Sequence, residues 1–153
     1  MSGKQKHFTA SRYDVTDSIG YLLGRSRLKL VKSVDLALAD SGITGQQGAI
    51  LMLLAQGRYR TAADISREMF MDSASTTRIV DRLVKRGLLQ RHPCEHDRRV
   101  VMLELTEAGQ ALVGALPDRY AKVMNREFGH FSSEEIHALK DLLRKFLQDE
   151  NKQ

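Results

Sequence analysis

The strongest constraint on this chain is a pair of short helical patterns set on a tight turn. Thr61-Ala-Ala-Asp64 caps the first, because a Thr hydroxyl at a helix start accepts a free backbone N–H. Ile65 and Met69 then face inward, with Phe70 close to the end. Met71-Asp72-Ser73 forms a three-residue turn into SASTTRIVDRLVKRG, which Gly87 closes as a C-terminal stop. In this second helix Ile79, Val80, Leu83 and Val84 face in. Arg78, Asp81, Arg82 and Lys85 recur at i, i+3, i+4 and i+7 and share one outward stripe, with Thr77 beside it. Two short helices on such a turn make a helix-turn-helix pattern.

After Gly87 the helical period gives way to alternation. Leu88-Leu-Gln-Arg-His-Pro93 reads as a strand that Pro93 ends, since proline cannot donate to a ladder. Val100-Val-Met-Leu-Glu-Leu105 reads as its partner, with Val101, Leu103 and Leu105 on one face. The tip between them carries Asp97, Arg98 and Arg99, where a hairpin ordinarily favours Gly or Asn.

Helices flank this unit on both sides. From about Asp14 to Ala39, apolar residues including Ile19, Leu22, Leu30, Val34 and Leu38 recur near helical spacing, with Gly42 as a stop. Thr44-Gly-Gln-Gln47 reads as a capping box opening a short, mostly buried helix. Thr106 opens a long helix that Pro117 should kink or split. Ser132-Ser-Glu-Glu135 is a second capping box, and Ile136, Leu139, Leu142, Leu143, Phe146 and Leu147 line one face of the helix it starts. No repeat, low-complexity linker or second domain interrupts the 153 residues, so a single mainly α domain with a small β-hairpin is expected.

Charge is unevenly spread. The net charge is +5, and the span from Arg78 to Arg99 holds seven cations against three acids. That stretch suits an anionic partner, whereas the residues from Ser132 onward are slightly acidic. The chain has no apolar run of the roughly 18–20 residues a membrane span needs, and no signal-like segment at its start, so the cytoplasm is the expected location. One cysteine, Cys94, rules out an internal disulfide. A glycine-rich phosphate loop, a nucleophile elbow and an HExxH motif are all missing, which argues against an enzyme, and no cofactor is implied.

The order of these elements, with the strings TTRIVDRLVKRGLLQR and DRRVVMLELTEAG in one piece, resembles the MarR family of winged-helix transcription regulators. The resemblance runs from about Asp14 to Gln148. It implies a single MarR-type domain: a winged helix-turn-helix at about 44–106, with dimerisation helices at about 14–40 and 107–148. It further implies a homodimer on a palindromic operator in double-stranded DNA, acting as a repressor that a small, often aromatic, effector releases. The alternatives are a winged helix serving only protein interaction and, further off, an enzyme. Effector, operator and regulated genes are not readable from the chain.

A short helix bearing Arg78, Arg82 and Lys85 suits a major groove about 12 Å wide, where Arg pairs bidentately with guanine. Ser75, Thr76 and Thr77 lie at the end such a helix presents to base edges, and Ser73 either caps it or donates to phosphate. The same charges also describe an ordinary solvated face, with Asp81 and Lys85 as an i,i+4 pair. For the hairpin tip, the resemblance assigns Arg99 to the minor groove, Asp97 to orienting its guanidinium, and Arg98 to phosphate. His92, Cys94 and His96 are good zinc ligands by type but too few for a structural site, so no metal is expected. Redox sensing by Cys94 is not expected either, because peroxide-sensing members carry their cysteine near the start of the first long helix.

Overall fold

The computed structural model describes residues 7–148, which divide into two compact units between Gly45 and Gln46. In the first, helix α1 spans Ile19–Leu38. It starts five residues later than the apolar pattern suggests. Asp14 spends its carboxylate on a local turn, accepting the Thr16 amide and hydroxyl at 2.8 Å each, and the Ser18 hydroxyl takes the cap by accepting the Tyr21 N–H. After Leu38 a single 3-10 turn, Ala39–Ser41, leads to Gly42 at φ 64°, the left-handed stop expected there. Val34, Leu38 and Ile43 are buried, while Ile19, Leu28 and Leu36 are exposed.

The second unit holds α2 (Gly45–Ala55, from its second residue), α3 (Ala62–Glu68), α4 (Ser73–Lys85), β1 (Leu89–Pro93), β2 (Val101–Leu105), α5 (Glu107–Phe128) and α6 (Ser133–Gln148). Its buried apolar residues come from nearly every element: Ile50, Leu51 and Leu54, then Ile65, Val80 and Leu83, then Leu89, Leu103, Leu116 and Val123. Each fully buried side chain of this size contributes roughly 1.5–3 kcal/mol. On β2 Leu103 is buried and Glu104 exposed, as the alternation predicts. Val101, expected on the same face as Leu103, is instead 49% exposed at the end of the strand near the hairpin tip. The strands pair antiparallel from Leu89↔Leu105 to Pro93↔Val101. A further backbone bond, Leu103 N–H to the Arg60 carbonyl at 2.7 Å, ties β2 to the segment that enters α3.

The joint between hairpin and α5 explains the LTEAG string. Thr106 caps α5 by accepting the Gly109 N–H, and its own hydroxyl donates to the Gly87 carbonyl at 2.6 Å. This draws the first turn of α5 against the backbone of Leu88, so that a β-carbon on Gly109 would collide with the Leu88 carbonyl oxygen. Only glycine fits that approach. Pro117 does not split the helix: α5 runs unbroken from Glu107 to Phe128. The proline removes one N–H from the ladder at an exposed position, while Leu116 and Val123 of the same helix are buried and anchor the turns on either side of it. The capping box of α6 forms as expected, with Ser132 and Glu135 exchanging bonds of 2.8 and 3.2 Å.

Candidate nucleic-acid interface

The helix-turn-helix begins with a reciprocal cap. Thr61 Oγ1 accepts the Asp64 N–H at 3.1 Å and Asp64 accepts the Thr61 N–H at 3.0 Å. Asp64 also takes the Arg60 N–H at 2.9 Å and the Arg67 guanidinium at 2.6 Å. The turn after α3 is longer than expected, because Met69, Phe70, Met71 and Asp72 all lie outside both helices. Ser66 holds it closed: its carbonyl accepts the Met71 N–H at 3.0 Å and its hydroxyl donates to the Met71 carbonyl at 2.6 Å. Phe70 sits in this turn at φ 51°, a left-handed conformation that costs a residue with a β-carbon about 1–2 kcal/mol.

Asp72, not Ser73, caps α4. Its carboxylate accepts the Ser75 N–H at 2.7 Å. Ser73 is the first helical residue, and its carbonyl accepts the Thr77 hydroxyl at 2.8 Å. The Ser75 hydroxyl and N–H hold the Asp72 carboxyl below its ordinary range, so it stays ionised beside the helix N-terminus. Ser75 Oγ in turn accepts from the Arg78 guanidinium at 3.0 Å, which sets that side chain across the first turn.

Arg78, Arg82 and Lys85 are all exposed along α4, as is Thr77. Thr76 departs from the expectation. It is 0% exposed and donates its hydroxyl to the Asp72 carbonyl at 3.0 Å. Its spacing to Val80 and Leu83, i+4 and i+7, places it on the buried face, and that spacing was the available signal. Asp81 does not pair with Lys85; it accepts from Arg91 of β1 at 2.5 Å. The bond neutralises the one acid on the cationic stripe and links α4 to the hairpin. Nothing local in the sequence marks Arg91 for this, since the pair is ten residues apart.

At the hairpin tip the Cys94 N–H donates to the Val100 carbonyl and the Val100 N–H to the Asp97 carbonyl, both at 2.9 Å. Asp97 also accepts the Arg99 N–H at 3.0 Å and the Arg99 Nε at 3.2 Å. These bonds hold the Asp97 carboxyl below its usual range and fix the base of a guanidinium side chain that is 92% exposed. Arg98 is exposed beside it. His92 faces Glu104 at 3.6 Å, and among the described residues no three His, Cys, Asp or Glu side chains converge as metal ligands would.

A model of the MarR family matches residues 41–100, the span from the end of the first unit to the hairpin tip. Over 140 residues the chain is 32% identical to the HTH-type transcriptional repressor NicR of Pseudomonas putida, covering 91% of this chain and 89% of that one. The chain belongs to the MarR family. Solved structures agree with this MarR-family fold. BpsR of Bordetella bronchiseptica, whose DNA binding is regulated by 6-hydroxynicotinic acid, superposes with a TM-score of 0.79 at 26% identity, over 89% of this chain and 97% of that one. A cysteine-to-serine mutant of Escherichia coli MarR in complex with operator DNA gives a TM-score of 0.79 at 24% identity, over 88% and 99%. The family is one of transcription regulators, and the winged helix-turn-helix with six helices and a two-stranded hairpin is its architecture. No helix of the described residues is long and apolar enough to cross a membrane.

Proposed function

We propose that this MarR-family protein is a homodimeric, cytoplasmic repressor that binds a palindromic operator and leaves it when a small aromatic effector binds. It works by binding alone, with no catalytic step. The observation that carries the reading is the pair of anchored cationic elements: Arg78, Arg82 and Lys85 along α4, and Arg99 clamped by Asp97 at the hairpin tip. In this reading α4 enters the major groove, where Arg78 and Arg82 read base edges and Ser73, Ser75, Thr77 and Lys85 contact phosphate or flanking bases. Arg99 reaches into the minor groove, whose negative potential attracts arginine, and Arg98 meets the backbone. Thr76 acts from within, by fixing the first turn of α4. The segments at about 14–40 and 107–148 supply the dimer contacts, and two such dimer-related helices contact half-sites about 10 bp apart.

An aromatic effector is supported by the regulation of BpsR by 6-hydroxynicotinic acid. The decisive experiment is binding of the purified chain to the DNA flanking its own coding region at several salt concentrations. Log affinity should fall steeply and linearly with log salt as phosphate counterions are released. Arg99→Ala should weaken binding and flatten that slope, whereas Arg78→Ala should also relax base preference by about 1–3 kcal/mol. Hydroxylated aromatic carboxylic acids should then release the complex. Absent or salt-independent binding would overturn the proposal.

A further inference from the structure

Among the described residues, Phe70 is the one non-glycine residue with a positive φ. A left-handed backbone crowds the β-carbon of any L-residue, so glycine or asparagine is the usual occupant. An aromatic ring offsets that strain when it is buried, yet Phe70 is 63% exposed. Neither backbone preference nor core packing therefore accounts for a phenylalanine at this turn. The Ser66 bonds to Met71 hold the backbone of the turn in place, which keeps the ring at the surface beside α4.

Phe70 lines two open clefts. One, of about 700 Å³, is shared with α3 and with Leu147 of α6. The other, of about 410 Å³, is shared with Met71, Asp72, Ser75, Arg78, Ile79 and Arg82, and it is the one that opens beside α4. Both arginines belong to the cationic face of α4 that the proposed function sets against DNA, and the exposed Asp72 is engaged as the helix cap on the Ser75 N–H. A ring among guanidinium groups cannot bind phosphate or a base hydrogen-bonding edge. The apolar feature that a major groove offers is the C5-methyl group of thymine, against which phenylalanine packs.

We infer that Phe70 is a specificity-determining residue that packs against a thymine methyl at the rim of each half-site, beside the bases met by Arg78 and Arg82. This inference rests on the DNA-binding reading. It adds to that reading an apolar contact made from the turn and not from the recognition helix. The left-handed backbone at Phe70 then has a use: it carries the ring at the surface beside α4.

The test uses the full chain and an operator first located by footprinting. Each thymine in a half-site is replaced in turn by deoxyuracil, which removes only the methyl group. Wild type should lose about five- to tenfold in affinity at one position per half-site, and Phe70→Gly should lose the same amount on the thymine operator yet show no response to deoxyuracil. Phe70→Leu should fall between them. Phe70→Gly should melt within a few degrees of wild type, since glycine adopts the turn freely, which separates a contact role from a folding role. Equal affinity of Phe70→Gly and wild type, or an equal loss on thymine and deoxyuracil duplexes, would overturn the inference while leaving the DNA reading intact. A changed sedimentation coefficient for Phe70→Gly would overturn it by placing the ring between two copies of the chain. If wild type binds no duplex at all, the DNA reading itself fails and takes this inference with it.

Discussion

The stretch from Thr61 to Gly109 and the helix α6 are written with the same amphipathic grammar, yet they end in opposite states. In the former, the inward positions Ile65, Thr76, Val80, Leu83, Leu89 and Leu103 are buried within the protomer. In α6 the apolar face is as regular, but Leu142 and Phe146 are each 67% exposed, and Leu143 and Leu147 are exposed beside them. Four large apolar side chains in one stripe make the kind of patch that monomeric proteins seldom leave to water. Periodicity thus tells which face of a helix is apolar; whether the cover comes from the same chain is a separate fact. The winged region is finished within the protomer, and the apolar face of α6 is not.

The largest expected effect strikes the unfinished face of α6. Phe146→Glu should leave the protomer folded, because the side chain has little to lose within it, but a carboxylate in an interface between copies lacks a partner and disfavours association. Sedimentation velocity should report half the mass of wild type. Operator affinity should fall by about 100-fold or more, since the second half-site no longer binds as part of the same particle. An unchanged mass would break the comparison, because the face would then have no second copy to cover it.

A smaller effect probes the finished region, through two glycines on the same helix. At Gly109 an added methyl group collides with the Leu88 carbonyl oxygen, whereas at Gly114 nothing lies within 4 Å. Gly109→Ala should therefore cost about 2 kcal/mol, read as a lowered urea midpoint, because the α5–hairpin joint is already in backbone contact. Gly114→Ala should instead stabilise by about 0.5–1 kcal/mol, since alanine restricts the unfolded chain and suits a helix interior. If the two variants behaved alike, the winged region would be looser than its hydrogen bonds indicate.

The same contrast separates what the sequence discloses from what it withholds. Local devices are legible: the caps at Thr61, Thr106 and Ser132, the stop at Gly87 (φ 68°) and the end of β1 at Pro93. Each rests on groups within a few residues of one another. The Asp97–Arg99 clamp is legible only through the family resemblance. Choices between near-equals are not legible, as where Asp72 takes the cap that Ser73 was equally suited to take. Nor are pairings set by tertiary packing, such as Asp81 with Arg91. Phe70 is the extreme case, because the local rule calls for glycine in a left-handed turn and the chain breaks it at a surface position.

The smallest expected effect tests whether the finished region owes its stability to these local devices. Asp64 lies below the ordinary 3.8, chiefly because the Arg60 N–H bonds its carboxylate, with Thr61 and Arg67 adding to this against a partial burial that opposes it. A carboxyl whose folded pKa is depressed stabilises the fold fully above the unfolded value and loses that contribution as pH falls through the folded one. Asp64→Ala should therefore cost about 1 kcal/mol at pH 7, a typical capping contribution. The gap between variant and wild type should then close as the pH drops below 3.8. Urea titrations of both proteins from pH 7 to about pH 2 would measure it. A gap that stays constant over that range would mean that ionisation of Asp64 is irrelevant and that the lost packing of its side chain is the whole effect.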